Sequence, residues 1–282
     1  MKRAITQFVM LTAALIGLGT TAWAITFGEP DGNDHPHVGT LLFVQNGVGF
    51  FSCTGTLLSP TVMLTAGHCT EEFGNVNDVT YVRFEENALA GRENYSTTQK
   101  WLDKEWIRAE EVIPHPQYDD YAQFPDTFDI GLVILSEPVY VETYGMLPNE
   151  GLLEDVLAEK GNKTNEFTAV GYGAQGIINP FQQDDFARYA TTARLIELNS
   201  FDTGPGSSAK FTNNPGGGTG GTCFGDSGGP VFYRDTPIIG AIVSFGVTPC
   251  IGVDFQFRID TATALDFIEE ATPTGNRGRG RN

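Results

Sequence analysis

Gly225-Asp226-Ser227-Gly228-Gly229-Pro230 decides the reading of this chain. It sets one serine in a glycine-rich turn ahead of the strand-like run Pro230–Tyr233. Far upstream, Thr65-Ala66-Gly67-His68-Cys69 supplies a histidine. A serine hydroxyl keeps its proton at neutral pH and is a poor nucleophile. An imidazole within hydrogen-bond reach takes that proton as the oxygen attacks. The imidazole needs a carboxylate to fix its tautomer and stabilise the imidazolium. Asp129 fits, because it heads the apolar run Ile130-Gly131-Leu132-Val133-Ile134-Leu135, which reads as a buried strand. The rivals read differently. His35 and His37 are expected in solvent near the start of the mature chain. Asp126 follows Pro125 and reads as a solvated turn.

The rest of the chain reads as all-β. The runs Val38–Val44, Phe50–Leu58, Thr61–Leu64, Val79–Phe84, Ile130–Leu135, Phe167–Gly171, Ala190–Leu198, Pro230–Tyr233, Ile238–Ser244 and Phe255–Ile259 are short. They are rich in Val, Ile, Phe, Tyr and Thr and are separated by Gly, Pro, Asn and Asp. A helix is predicted over 261–271, with Ala264, Leu265 and Ile268 on one face and Pro273 ending it. Two stretches read as surface insertions: the polar Asn87–Trp106 and the glycine-rich Gly204–Gly221.

With 282 residues, 40% of them apolar, the chain can bury one large or two modest cores. Lys2 and Arg3, the apolar run Phe8–Leu18 and the site Ala22-Trp23-Ala24 make 1–24 a secretory signal peptide, so the product is expected outside the cell or in a periplasm. A net charge of −18 disfavours nucleic acid and anionic membranes as partners. Four cysteines suit an oxidising setting and allow three pairings. The cysteine and histidine spacing is not that of a metal site, and none is expected; the acidic segment 71–78 reads as a solvated loop. The basic tail 273–282 reads as a disordered end.

The chain order His68, Asp129, Ser227 and the three segments carrying them resemble the chymotrypsin/trypsin family of secreted serine proteases. The resemblance covers nearly all of 25–271. It implies two six-stranded antiparallel β-barrels, about 38–145 and 146–260, followed by the C-terminal α-helix, within a peptidase domain at 25–272. It implies an acyl-enzyme on Ser227, His68 as general acid and base, and Asp129 orienting it. It further implies an oxyanion hole from the N–H groups of Gly225 and Ser227, disulfides Cys53–Cys69 and Cys223–Cys250, and Ser244, Phe245 and Gly246 along the substrate cleft. Ser244 would support Asp129, and His115, in the segment Ile113-Pro114-His115-Pro116-Gln117-Tyr118, would belong to a surface loop. The amino group of Ile25 would pair with Asp226 after cleavage at Ala24, although Phe27 stands where the family has a glycine. Gly221 lies where trypsins carry an aspartate, which favours a large apolar substrate side chain; Asp254 on a pocket strand favours Arg or Lys instead. The partners implied are polypeptide substrates and protein inhibitors, for a monomer with no cofactor. A catalytically silent binding module and an esterase on the same triad stand as alternatives.

Overall fold

The computed structural model describes residues 25–45, 48–70, 79–119, 127–159, 165–178, 181–200, 203–204 and 206–273. The expected signal peptide, the acidic segment 71–78, Asp126 and nearly all of the basic tail lie outside the described residues.

Six strands close the first barrel: β1 (Val38–Gln45), β2 (Val48–Ser59), β3 (Val62–Thr65), β4 (Val79–Arg83), β5 (Ile107–Pro114) and β6 (Gly131–Leu135), in the order β1-β2-β3-β6-β5-β4. Six more form the second: β7 (Glu166–Gly171), β8 (Tyr189–Glu197), β9 (Ser208–Asn213), β10 (Pro230–Tyr233), β11 (Ile239–Gly246) and β12 (Gly252–Arg258), in the order β8-β9-β12-β11-β10-β7. A β7–β8 pairing completes that closure, and all pairings in both barrels are antiparallel. The two-residue strand Glu29–Pro30 adds to the edge of β8.

The period of two along each strand sorts the core. On β6, Val133 and Leu135 join Leu41, Leu57 and Met63 in one cluster, which fills barrel one. Leu132 and Ile134 belong to another, shared with Val170, Phe232 and Ile242 of barrel two. The interior of barrel two is filled by Phe167, Phe211, Val231 and Val243. The C-terminal helix spans Ala262–Ala271 and is capped by Thr261, whose Oγ1 accepts from the Ala264 N–H at 3.3 Å. It buries Ala264, Leu265, Phe267 and Ile268, and Ala264, Phe267 and Ile268 join the cluster between the barrels. Among the described residues, no helix is long and apolar enough to cross a membrane.

Two strands depart from the sequence expectation. Gly204–Gly221 is not one loop: its middle is β9, with Ala209 and Phe211 fully buried. Six residues between glycine clusters give too short an alternation to stand out. β5 carries Arg108, Glu110 and Glu111, with a bulge between Ala109 and Glu111, so its polar residues hide the strand period. The polar insertion at Asn87–Trp106 is also not merely a surface loop. It holds a helix, Thr98–Glu105, that buries Trp101 and Leu102.

Candidate active site

His68 sits in a single 3-10 turn, Gly67–Cys69, directly after β3. The Cys53–Cys69 disulfide ties that turn to β2. Asp129 precedes β6, the strand paired with β3, so the two segments are brought together by sheet register. The His68 backbone N–H donates to Asp129 Oδ1 at 2.9 Å, and His68 Nδ1 lies 3.0 and 2.9 Å from the two carboxylate oxygens. Ser244 Oγ, on β11, donates to Asp129 Oδ2 at 2.5 Å. Burial alone would raise the Asp129 pKa. The His68 imidazole and the hydrogen bonds from His68 and Ser244 outweigh it and hold the carboxyl below its ordinary value. A carboxylate so fixed requires the His68 proton on Nδ1, which leaves Nε2 as the basic nitrogen.

Ser227 and His68 line one cavity of about 480 Å³, with Asp129, Phe224, Ser244 and Phe245 also on its wall. The serine backbone is pinned across the barrels: the Thr54 N–H donates to the Ser227 carbonyl at 2.8 Å. Gly228 follows with φ +77, and a Cβ there would lie 2.0 Å from Thr65 Oγ1, so glycine is required by both conformation and space. Gly225 has φ +98, and its carbonyl accepts from Thr54 Oγ1 at 2.9 Å. The Cys223–Cys250 disulfide braces the same loop.

The Asp226 carboxylate is fully buried. It accepts from the Gly173 N–H at 2.8 Å and the Cys223 N–H at 2.9 Å. Burial pushes its pKa up to about 8, which these amides only partly offset. Ile25 is also fully buried, with φ +50, and Phe27 takes φ +59. Phe27 thus occupies a left-handed conformation at the position where the family resemblance places a glycine.

The residues expected to set specificity sit differently from the simplest expectation. Gly221 does not leave an open floor: a Cβ there would lie 2.1 Å from the Asn213 side chain. Asp254 is 1% exposed, and its carboxylate is not unpaired. Oδ1 accepts from Asn213 Nδ2 at 2.9 Å; Oδ2 accepts from the Thr222 N–H at 2.6 Å and from Thr222 Oγ1 at 2.9 Å. Burial pushes its pKa up to about 6 despite those donors. Thr222 and Gly246 line the cavity, whereas Asp254 stands behind them, with Oδ1 3.2 Å from where a Gly246 Cβ would be. Thr222, Asn213 and Gln256, which the sequence did not single out, are the groups that hold this region.

Of the other histidines, His37 and His115 are buried and His35 is half-buried. His37 is 3% exposed and packs on Phe232, and burial lowers its pKa to about 4. His35 stacks on the same ring and contacts Asp31. His115 is buried against Phe128 and Phe267 rather than in a surface loop.

A family model described as Trypsin matches residues 25–268. The chain is 30% identical over 232 residues to a trypsin of Saccharopolyspora erythraea, covering 78% of this chain and 86% of that one. It is 27% identical over 264 residues to a venom serine protease of Polistes dominula, covering 86% and 83%. The solved structure of HL collagenase superposes with a TM-score of 0.65 at 20% identity, over 90% of this chain and 100% of that one, a likeness of fold.

Proposed function

Because the chain belongs to the trypsin family and is a serine endopeptidase, we propose that it cleaves peptide bonds through an acyl-enzyme on Ser227. His68 takes the serine proton at Nε2 and returns it to the leaving amine. Asp129 holds the imidazole and stabilises its charge; Ser244 holds Asp129. The observation that carries this reading is the buried Asp129 carboxylate, bonded at once to the backbone and ring of His68 and to Ser244. The N–H groups of Gly225 and Ser227 form the oxyanion hole, where losing one donor costs about 3–4 kcal/mol of transition-state stabilisation. Labelling with an organophosphonate should modify Ser227, and Asp129→Asn should lower turnover about 10⁴-fold by favouring the wrong tautomer. Absence of label on a folded chain would favour a silent binding module, and ester cleavage without peptide cleavage an esterase.

The substrate side chain entering the cavity is Arg or Lys in this reading. Asp254 is a buried carboxylate whose donors among the described residues are all neutral, and Gly246 leaves no side chain between its Oδ1 and the cavity wall. An incoming cation would offset the cost of burying that charge. A large apolar side chain is the second reading, favoured by the absence of Asp254 from the cavity lining. Matched P1-Arg and P1-Phe peptides, tested on wild type and Asp254→Asn, separate the two.

Activation follows from strain and charge. A β-branched residue at φ +50, like Ile25, costs roughly 1–3 kcal/mol. Cleavage before Ile25 abolishes that dihedral and frees an ammonium for Asp226. Sequencing the N-terminus of active enzyme tests this: a start well beyond Ile25, or full activity with preceding residues retained, rejects it.

A further inference from the structure

Phe128 stands directly before Asp129 and takes φ +48. A bulky aromatic residue rarely enters that left-handed region, and such a conformation persists only where the surroundings over-determine it. Here the surroundings are aromatic. The His115 ring stacks on Phe128, with centroids 5.0 Å apart and planes 10° from parallel. Phe267, on the C-terminal helix, packs on the same imidazole at 4.9 Å. His115 is buried, which lowers its pKa. Its Nδ1 accepts from the Gln117 N–H at 3.1 Å, so that nitrogen carries no proton and the stacked ring is neutral.

The backbone of His115 grips the same segment. β5 and β6 pair as far as Pro114 and Gly131, and one step further the His115 N–H donates to the Ile130 carbonyl at 2.9 Å. The Ile130 N–H turns back to the Phe128 carbonyl at 2.8 Å, a three-residue turn with Asp129 at its centre. His115 therefore holds the residue on each side of Asp129, by its ring before and by its amide after. The chain leaving His115 reaches the other partner. The Tyr118 N–H donates to the His115 carbonyl at 2.8 Å, and the Tyr118 ring covers Gly67, where a Cβ would lie 2.8 Å from it. Gly67 directly precedes His68.

On the triad reading above, on which this rests, we propose that His115 is a positioning residue for Asp129: its ring holds Phe128 in the left-handed conformation and its N–H holds Ile130, so that the carboxylate between them is aimed at His68. None of these contacts involves a reacting atom, so His115 acts on the rate through where Asp129 points. A misplacement on the order of 1 Å costs up to about 10²-fold in rate.

The test is kinetic: kcat, KM and the pH profile on a peptide substrate, per folded molecule, with the folded fraction read from near-ultraviolet circular dichroism. His115→Leu should lower kcat about ten- to hundredfold with KM unchanged. It should also move the acid limb of kcat/KM to lower pH, because a displaced carboxylate no longer stabilises the imidazolium. His115→Phe keeps a flat ring on Phe128 and should retain most of the rate. Asn enters the left-handed region without a ring to hold it, so adding Phe128→Asn to His115→Leu should restore much of the loss. In an Asp129→Asn background, His115→Leu should cost nothing further, because both act through one carboxylate. If His115→Leu does not fold, Phe128→Leu, at a half-buried position, decides by the same readouts. A His115→Leu chain that folds less yet keeps the wild-type kcat and acid limb per folded molecule overturns the proposal, and so does an equal loss in the Asp129→Asn background. No restoration by Phe128→Asn overturns the hold on the Phe128 dihedral. Turnover untouched by Asp129→Asn overturns the triad reading itself, and the proposal with it.

Discussion

Asp254 is held by three neutral donors, so its charge is set by burial, and burial pushes its pKa up to about 6. If this carboxylate attracts the substrate cation, selectivity must titrate with it. Above that pH the ionised group favours Arg; below it the neutral acid gives Arg no electrostatic advantage. The P1-Arg to P1-Phe ratio of kcat/KM should therefore fall as pH drops through about 6, and it should be flat in Asp254→Asn. Taking the ratio cancels whatever both substrates share, protonation of His68 included. A wild-type ratio constant over roughly pH 5 to 8 would reject the assignment. His68, Asp129 and Ser227 stand out in the sequence as candidates because each lies in its own short, contiguous motif. Asn213, Thr222 and Gln256 do not, because they come from β9, the nucleophile loop and β12 and acquire meaning only when those segments meet. The family resemblance pointed to Asp254, but nothing in the sequence pointed to the donors around it.

At the scale of elements, strands with clean apolar runs were legible, and those whose outer residues are charged were not. The helix Thr98–Glu105 shows the physical reason. Gln99, Lys100, Asp103 and Lys104 make the segment look solvated, yet Trp101 and Trp106 meet edge to face at 5.4 Å and are 3% and 8% exposed. The Arg83 guanidinium stands 5.4 Å over the Trp101 ring. This helix therefore closes one side of the shared core instead of decorating the surface. Trp101→Ala should cost roughly 3–5 kcal/mol of stability, as large-to-small changes in a core do. Chemical denaturation measures it; a loss below about 1 kcal/mol, the size expected of a surface change, would mean that the helix is an appendage.

The whole molecule depends on two barrels holding one cleft, and buried charges mark where they are joined. Arg188, fully buried at the edge of barrel two, binds Asp31 at 2.7 Å and donates to the carbonyls of Val38 and Phe84 on the barrel-one side. Arg188→Met would leave Asp31 facing only His35 and should cost roughly 3–5 kcal/mol. Among the described residues, Asp226 has no such cation as a hydrogen-bond partner. Its folded pKa, about 8, stands above the ordinary 3.8. Between those values the folded state binds the proton and the unfolded state does not, so this group's contribution to stability declines as pH rises through the window. An ammonium at Ile25 would reverse the sign, because a paired carboxylate ionises readily in the folded state and its pKa drops. Two forms should therefore diverge: a chain retaining residues before Ile25 should lose stability relative to one starting at Ile25 as pH rises from about 5 to 8. Asp226→Asn should remove the decline in stability with rising pH from the form that retains residues before Ile25, because the amide does not titrate. Urea unfolding of the four proteins at both pH values measures this. Parallel pH profiles for the retained and Ile25-starting forms of the wild-type chain would show that the terminus never meets Asp226, and signal cleavage would then not be the activating step.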